Sequence, residues 1–309
     1  MNDIRIRFRH LQSFLSIAQH RSVGAAAHSL AITQPALSKT LRELEEALGV
    51  QLFVRDKKGM LLTRFGEIFL QHAAASMASL RQGIDSIKLA ENMGAVGVAI
   101  GILPNVAARI MPMAIHAFKE SAPTTTVRIV TGSNSHLLDQ LRLGEIDFVL
   151  GRLAQPEYMV GLSFEHLYFE SLVLAVRPQH PLAKAQRLRM KMISDYPWIL
   201  PHHGTIIRLE IDRFLLAQGI TAPRDVIETT SIAFGRGYLR SCDSIWFIPR
   251  GAVEPDLSDG SLVALPLTSS TMEGPVGITI RTDVASNPPA LLMMDAIRRV
   301  VSKHKNSAT

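Results

Sequence analysis

SVGAAAHSLAITQPALSKTLRELEEAL, residues Ser22 to Leu48, reads as two helices joined by a tight turn. Ser22 is a residue type that caps helix N-termini, and Ala25, Ala26, Ala27 and Leu30 build a short, close-packing helix. Ala31 and Ile32 make the turn. Thr33 caps a second helix with Pro35 in its first turn, where the missing N–H leaves no bond unmade. Leu37, Leu41, Leu44 and Leu48 recur at helical spacing and mark a core face. The other face carries Gln34, Ser38, Lys39 and Arg42 at its N-terminal end, hydrogen-bonders and cations of the types that read base edges and hold phosphates. A small first helix, a brief turn and a polar-tipped second helix make a helix-turn-helix. An ordinary helical hairpin with a solvated face has the same pattern, and charge favours the first reading. Met1 to Phe65 holds ten Lys and Arg against five Asp and Glu, a net +5 out of +6 for the whole chain. A local basic excess is the footprint of a phosphate-binding module.

Moving outward, Leu11, Phe14, Leu15 and Ala18 predict a preceding helix that packs on this pair. After Gly49, VQLFVRDKKGMLLT predicts two short strands around the turn Asp56 to Gly59. Arg55, Lys57 and Lys58 gather there, as in a wing placed against DNA backbone or minor groove; a solvated hairpin is the plainer alternative. From Gly66 to about Asn92, Leu70, Ala73, Met77, Leu80, Ile84 and Ile87 alternate spacings of four and three, a heptad seam. The seam predicts a self-pairing linker helix and a homodimer, the alternative being a core helix against the next domain.

At 309 residues the chain suits two or three compact units, and 47% hydrophobic with 19% charged residues is a globular composition. No apolar run reaches the roughly 18 residues of a membrane span. The start, MNDIRIRFRHLQ, is charged and lacks a signal-peptide core, so a cytoplasmic location is expected. A single cysteine, Cys242, excludes an internal disulfide and reads as a small buried apolar residue before a redox sensor.

Gly94 and Gly97 mark a linker, after which strands and helices alternate. Strands are predicted at Val96 to Leu103, VRIVTG, IDFVLGR, LVLAVRP, WILP, Val226 to Ile227, SIWFIP and VGITIR. Helices are predicted at Pro104 to Phe118, His136 to Leu143, Ile207 to Ala217, Ile232 to Leu239 and Ala290 to His304. The alternation implies an α/β domain with a mainly parallel sheet.

In such sheets ligands bind beyond the carboxyl ends of strands, against helix N-termini. The rule selects Leu103-Pro104-Asn105, Thr131 to Ser135 (with Ser133 and Asn134), Pro201 to Thr205 (with His202 and His203) and Thr229-Thr230-Ser231. These N–H-rich ends favour an anion. Arg208 and Arg236, each about one turn into a helix, and Arg152, after IDFVLG, are candidate carboxylate clamps. Taken singly, each Ser or Thr is a plain cap and each arginine an ion pair; taken together they suit a small carboxylate.

Enzyme readings find little support. Adjacent His202 and His203 lack further ligands for a metal, and no cofactor is expected. Neither G-x-S-x-G nor H-E-x-x-H occurs, nor a dinucleotide fingerprint, nor a P-loop.

TQPALSKTLRELEEALGVQLFVRDKKGMLLTRFGE resembles the winged helix-turn-helix of LysR-type transcriptional regulators. The α/β part resembles that family's effector domain, two lobes like a periplasmic binding protein. The resemblance implies a DNA-binding domain at 1–65 and a linker helix at 66–93. It further implies an effector domain at 94–309, with lobe I at 94–168 and 273–309 and lobe II at 169–272. It implies promoter DNA and RNA polymerase as partners, a dimer or tetramer, and DNA contacts at Thr33, Gln34, Pro35, Ser38, Lys39, Arg42, Arg55 and Lys57. Asn105, Ser133 and Thr205 fall at typical effector positions, although Ser or Thr is usual where Asn105 stands. TGSNSHLLDQLRLGEIDFVLGR, GTIIR and GPVGIT are similar to the branch of the family that controls protocatechuate breakdown through the β-ketoadipate pathway. That likeness implies a polycarboxylate effector; a closely similar branch controls sugar catabolism. A cytoplasmic small-molecule-binding protein without DNA function is the reading from another class.

Overall fold

The computed structural model describes residues 6–56, 59–90, 97–185, 188–221, 223, 225–266 and 273–307. Two compact units divide the chain. One comprises Met1–Val96, Asp139–Ile146 and Arg281–Ala285; the other comprises Gly97–Leu138, Asp147–Ile280 and Ser286–Thr309. No helix among the described residues is long and apolar enough to cross a membrane.

The first unit begins with α1 (Phe8–His20), α2 (Val23–Ser29) and α3 (Gln34–Leu48). A hairpin of β1 (Phe53–Asp56) and β2 (Gly59–Leu62) follows, then α4 (Arg64–Ala90). Both expected caps form. The Ser22 hydroxyl accepts from Ala25 N at 3.3 Å and the Thr33 hydroxyl from Ala36 N at 3.4 Å. Ala31 takes φ +53° in the turn, and Gly49 closes α3 in the left-handed region. Leu37, Leu41 and Leu44 are buried with Phe14, whose ring lies 5.2 Å from that of Phe53 and 5.0 Å from that of Phe69. The hairpin is tied at two places. Glu45 Oε1 accepts from Leu52 N (2.7 Å) and Phe53 N (3.3 Å), and Met60 N donates to the Arg21 carbonyl (2.8 Å). Beside that carbonyl stands Gly59 at φ +114°, where a Cβ has no room.

The seam expected on α4 is divided. Ala73 and Met77 are 2% and 5% exposed and belong to the unit's own core, with Leu70 packed at its edge. They are therefore not free to pair with a second chain. Leu80, Ile84 and Ile87 remain exposed.

The rest of the chain runs β3 (Val98–Ile102), α5 (Pro104–Ala107), α6 (Met111–Ser121), β4 (Val127–Thr131), α7 (Asn134–Arg142) and β5 (Phe148–Arg152). Next come β6 (Leu162–Val176), β7 (Trp198–Leu200), α8 (Ile206–Ala217), β8 (Val226–Glu228), α9 (Ile232–Leu239) and β9 (Ile245–Pro249). Then follow α10 (Arg250–Ser258), β10 (Val263–Ala264), β11 (Glu273–Arg281) and α11 (Pro288–Ser307). The strands form one sheet in the order β4-β3-β5-β11-β6-β9-β7-β8, with β10 paired to β6.

The parallel expectation holds within each half and fails where the halves join. β3 is parallel to β4 and β5, and β7 to β8 and β9. β11 is antiparallel to β5, and β6 to β9 and β10. These two long strands carry the chain between halves, so each half keeps its own core. The first includes Ile100, Phe118, Phe148, Leu167, Ile278 and Ile297; the second includes Leu174, Trp198, Phe214 and Phe247. Strand β6 starts at Leu162, ten residues before the run LVLAVRP, and passes from Leu167 in one core to Leu172 in the other. The single helix expected at Pro104 to Phe118 is two, because the segment turns at Ala108 to Ile110. Helix α10, with Pro255 inside it, was not expected; Glu170 accepts from Gly251 N at 3.1 Å in its first turn. Cys242 is half-buried, its thiol donating to the Tyr238 carbonyl at 3.0 Å.

Candidate functional site

Two surfaces follow from these elements, one in each unit. On α3, Gln34, Pro35, Lys39 and Arg42 are exposed and Ser38 is half-buried, all on or beside the face opposite Leu37, Leu41 and Leu44. Arg55 is exposed on β1, opposite Met60. Lys57 lies outside the described residues. Lys39, Arg42 and Arg55 are exposed, with the Lys39 charge also felt by Glu43, so all three can meet an external anion. Acidic charge on the helix is drawn elsewhere. Glu43 pairs with Arg9 at 2.8 Å and meets buried His10 at 3.4 Å. Desolvation opposes ionisation of the Glu43 carboxyl, but the hydrogen bonds from Arg9 and His10 outweigh it and hold it below its usual range. Glu45 is spent on the hairpin. Nothing local in the sequence marked either acidic role.

The second surface is a cavity of about 800 Å³. All four strand-end stretches line it: Leu103 and Pro104 after β3, Thr131 to Ser135 after β4, Pro201 to Thr205 after β7, and Thr229 to Ser231 after β8. The side chain of Asn105 lies outside what the structure describes. Three of the lining hydroxyls also serve their own helices. Ser133 Oγ accepts from His136 N at 3.3 Å, Thr205 Oγ1 from Arg208 N at 3.2 Å, and Ser231 Oγ from Phe234 N at 3.3 Å. Thr205 also donates to the His202 carbonyl at 3.0 Å, so its one donor is used and one acceptor lone pair remains. The cap reading and the lining reading are thus both met at the same residues. Leu103, Leu138, Ile206, Leu209, Ile232 and Trp246 supply apolar wall. Such a lining, mostly apolar with convergent polar groups, is what a small-molecule site needs.

The arginines divide. Arg208 does not line the cavity. Its side chain is 9% exposed and donates to Asp212 (2.9 Å), Glu228 (2.7 Å) and the Pro201 carbonyl (3.0 Å), with His203 Nε2 at 2.8 Å. Desolvation disfavours its charge, but Glu228 and Asp212 more than compensate and its pKa is raised. Arg236 also lies outside the lining, bound to Asp256 at 2.8 Å and the Ala252 carbonyl at 2.9 Å. Both expected clamps are corrected to intramolecular ties, because a carboxylate from elsewhere in the fold already fills each fork. Arg152 does line the cavity, 3% exposed, and is the only Arg or Lys among its described lining residues. Several arginines for a polycarboxylate were expected there; one is present. His203 lines the cavity beside Glu228 at 3.2 Å. Asn134 Nδ2 donates to the Arg152 carbonyl at 3.1 Å, joining two of the expected residues. Trp246, Tyr158 and Gln155 were not anticipated in the lining. Trp246 is second in β9, away from the carboxyl end that the strand-end rule selects, and Gln155 and Tyr158 lie three and six residues past β5.

A basic helix-turn-helix with a winged hairpin, followed by an α/β unit with a strand-end cavity, defines a ligand-responsive DNA-binding protein. Residues 8–67 match the model of the bacterial regulatory helix-turn-helix protein, lysR family, and residues 97–302 match the LysR substrate binding domain. The chain belongs to the LysR family of transcriptional regulators. It is similar to the HTH-type transcriptional regulator PcaQ of Agrobacterium fabrum, 44% identical over 303 residues that cover 98% of this chain and 97% of that one. It is also similar to the uncharacterized HTH-type transcriptional regulator YdcI of Escherichia coli, 39% identical over 96% of each chain. A solved full-length OxyR variant from Pseudomonas aeruginosa, 22% identical, shares the fold with a TM-score of 0.61 over 95% of both chains.

Proposed function

We propose that this regulator is a cytoplasmic homo-oligomer that binds promoter DNA through α3 and the β1–β2 wing and senses a small carboxylate in the cavity. Its domains run 1–65, 66–93 and 94–309, it controls genes of protocatechuate breakdown, and it acts by binding, with no catalytic step. The likeness to PcaQ over nearly the whole chain carries the pathway reading. The anion-favouring helix N-termini around Arg152 carry the effector class. The contacts assigned to DNA are Thr33, Gln34, Pro35, Ser38, Lys39, Arg42, Arg55 and Lys57. Those assigned to the effector are Ser133, Asn134, Arg152, His202, His203, Thr205 and Ser231, with Asn105 by position in the chain. Effector in the cavity favours one arrangement of the two halves, which alters DNA bending and contact with RNA polymerase.

A DNase footprint on the gene's own upstream DNA, with and without carboxymuconate, tests this reading. A protected region that shortens or shifts with the ligand is expected. Protection that ignores it turns attention to neutral polyols and sugars, which the single cation and the many hydroxyls of the lining also suit. No protection at any salt concentration overturns the DNA-binding assignment itself.

A further inference from the structure

At the wall of the cavity, Arg152 ends β5 and Glu210 stands on α8, so their pair joins the two halves of the second unit. The pair is loose. Arg152 Nη1 donates to Glu210 Oε1 at 3.3 Å, and Nη2 lies 3.3 Å from Oε2 without hydrogen-bond geometry. A charge-assisted bond of good geometry is shorter than this. Arg152 Nε and Nη2 and Glu210 Oε2 are buried with no hydrogen-bond partner. A guanidinium has five donors in a fixed fork, and leaving a buried one unsatisfied is costly. Yet the group cannot swing away freely, since Gly274 packs so closely on it that a Cβ there would collide with Nη1.

We propose that Arg152 is the carboxylate-recognising residue of the cavity and that Glu210 is its built-in competitor. The ligand's carboxylate takes Nε and Nη2, displacing Glu210 Oε2 from its place 3.3 Å from Nη2, and Glu210 is released from the join. The inference rests on the effector-binding reading above and deepens it. The competitor sets selectivity, because a neutral ligand cannot displace a carboxylate from a guanidinium. It also supplies the coupling, since ligand binding exchanges a bond between the halves for a bond to the ligand. Burial raises the Glu210 pKa despite Arg152 and Arg213, which agrees with a carboxylate held at a cost.

The test replaces the competitor. Full-length Glu210→Ala protein is melted in rising sodium formate against matched sodium chloride, beside wild type and the Arg152→Gln/Glu210→Ala double variant. Formate should raise the Glu210→Ala midpoint at concentrations at least about tenfold below any effect on wild type, as linkage requires of a ligand bound to the native state. The double variant should show no formate-specific rise. Glu210→Gln, which keeps the side-chain volume, gives the same comparison if the alanine variant does not fold. In that background adipate should also bind at least about tenfold more tightly than to wild type by calorimetry, an affinity step of about 1.4 kcal/mol. Equal formate responses in the single and double variants, or adipate binding no better than in wild type, overturn the proposal. Neither readout uses operator DNA, so such a failure leaves the footprint result standing.

Discussion

Gln34 and Lys39 on α3 and Arg55 on β1 are exposed and Ser38 is half-buried, but their chemistry separates what they do. An amide or hydroxyl reaching a base edge discriminates between bases, whereas a cation at a phosphate binds all sequences alike. Gln34→Ala or Ser38→Ala should therefore relax sequence preference, losing about 1–3 kcal/mol of discrimination at one position. Lys39→Ala or Arg55→Ala should weaken binding to every sequence and lower the salt slope by about 1 each. Gel shifts on operator and scrambled DNA across a salt series check both; unchanged slopes would remove the two cations from the interface. Arg208 gives a different expectation, because its guanidinium is buried and held by four groups. Arg208→Met should cost about 2 kcal/mol of stability in urea while leaving operator affinity in place. The pH dependence follows from Glu228, whose carboxyl the Arg208 hydrogen bond holds below its ordinary 4.5. A depressed folded value adds stability above the unfolded one, and that stability is lost as pH falls through the lower folded value. The gap between wild type and Arg208→Met should accordingly be full at neutral pH and close progressively below about pH 4.5.

At the scale of elements, the hairpin is stable through two ties. Glu45 presents one carboxylate oxygen to two backbone N–H groups, of Leu52 and Phe53. Glu45→Ala leaves both donors without that partner and should cost about 1.5–3 kcal/mol, seen as a lower melting point and faster exchange of those amides. Unchanged exchange would show the tie to be incidental. Gly59→Ala attacks the other tie, since a Cβ meets the Arg21 carbonyl, and should destabilise the hairpin further. Helix starts were legible in the sequence because capping is local. Ser22, Thr33, Thr205 and Ser231 each bond an N–H three residues ahead. The first ten residues of β6 were not legible, because SFEHLYFES mixes polar and apolar residues on both faces and so lacks the alternation of a half-buried strand, although a turn at Gly161 (φ +74°) stands just before its start. Arginine roles were misread for a related reason. Position on a helix gives where Arg208 and Arg236 start, but the carboxylates that claim them, Glu228 and Asp256, each lie 20 residues further on. Of the expected clamps only Arg152 reached the cavity lining, and its competitor Glu210 carries no sequence signal at all.

At the scale of the whole molecule, the apolar face left open on α4 bears on assembly. Leu80, Ile84 and Ile87 are 48%, 45% and 59% exposed and sit at i, i+4 and i+7 along one helix. Large side chains at this spacing lose free energy in water and gain it against a matching helix, and a second copy of the chain carries the match by symmetry. Ala73 and Met77, being internal, set where such a pairing stops. Leu80→Glu with Ile84→Glu should therefore shift the protein toward monomer in sedimentation at micromolar concentration, while Glu substitutions at Ala73 or Met77 should unfold the first unit. DNA affinity should fall with the dimer, because one recognition helix then addresses one half-site and the linked second contact is lost. The loss expected from a broken bivalent contact is roughly 100-fold or more. A double variant that stays dimeric with full operator affinity would place self-association on another surface and leave this face of α4 without a role in it.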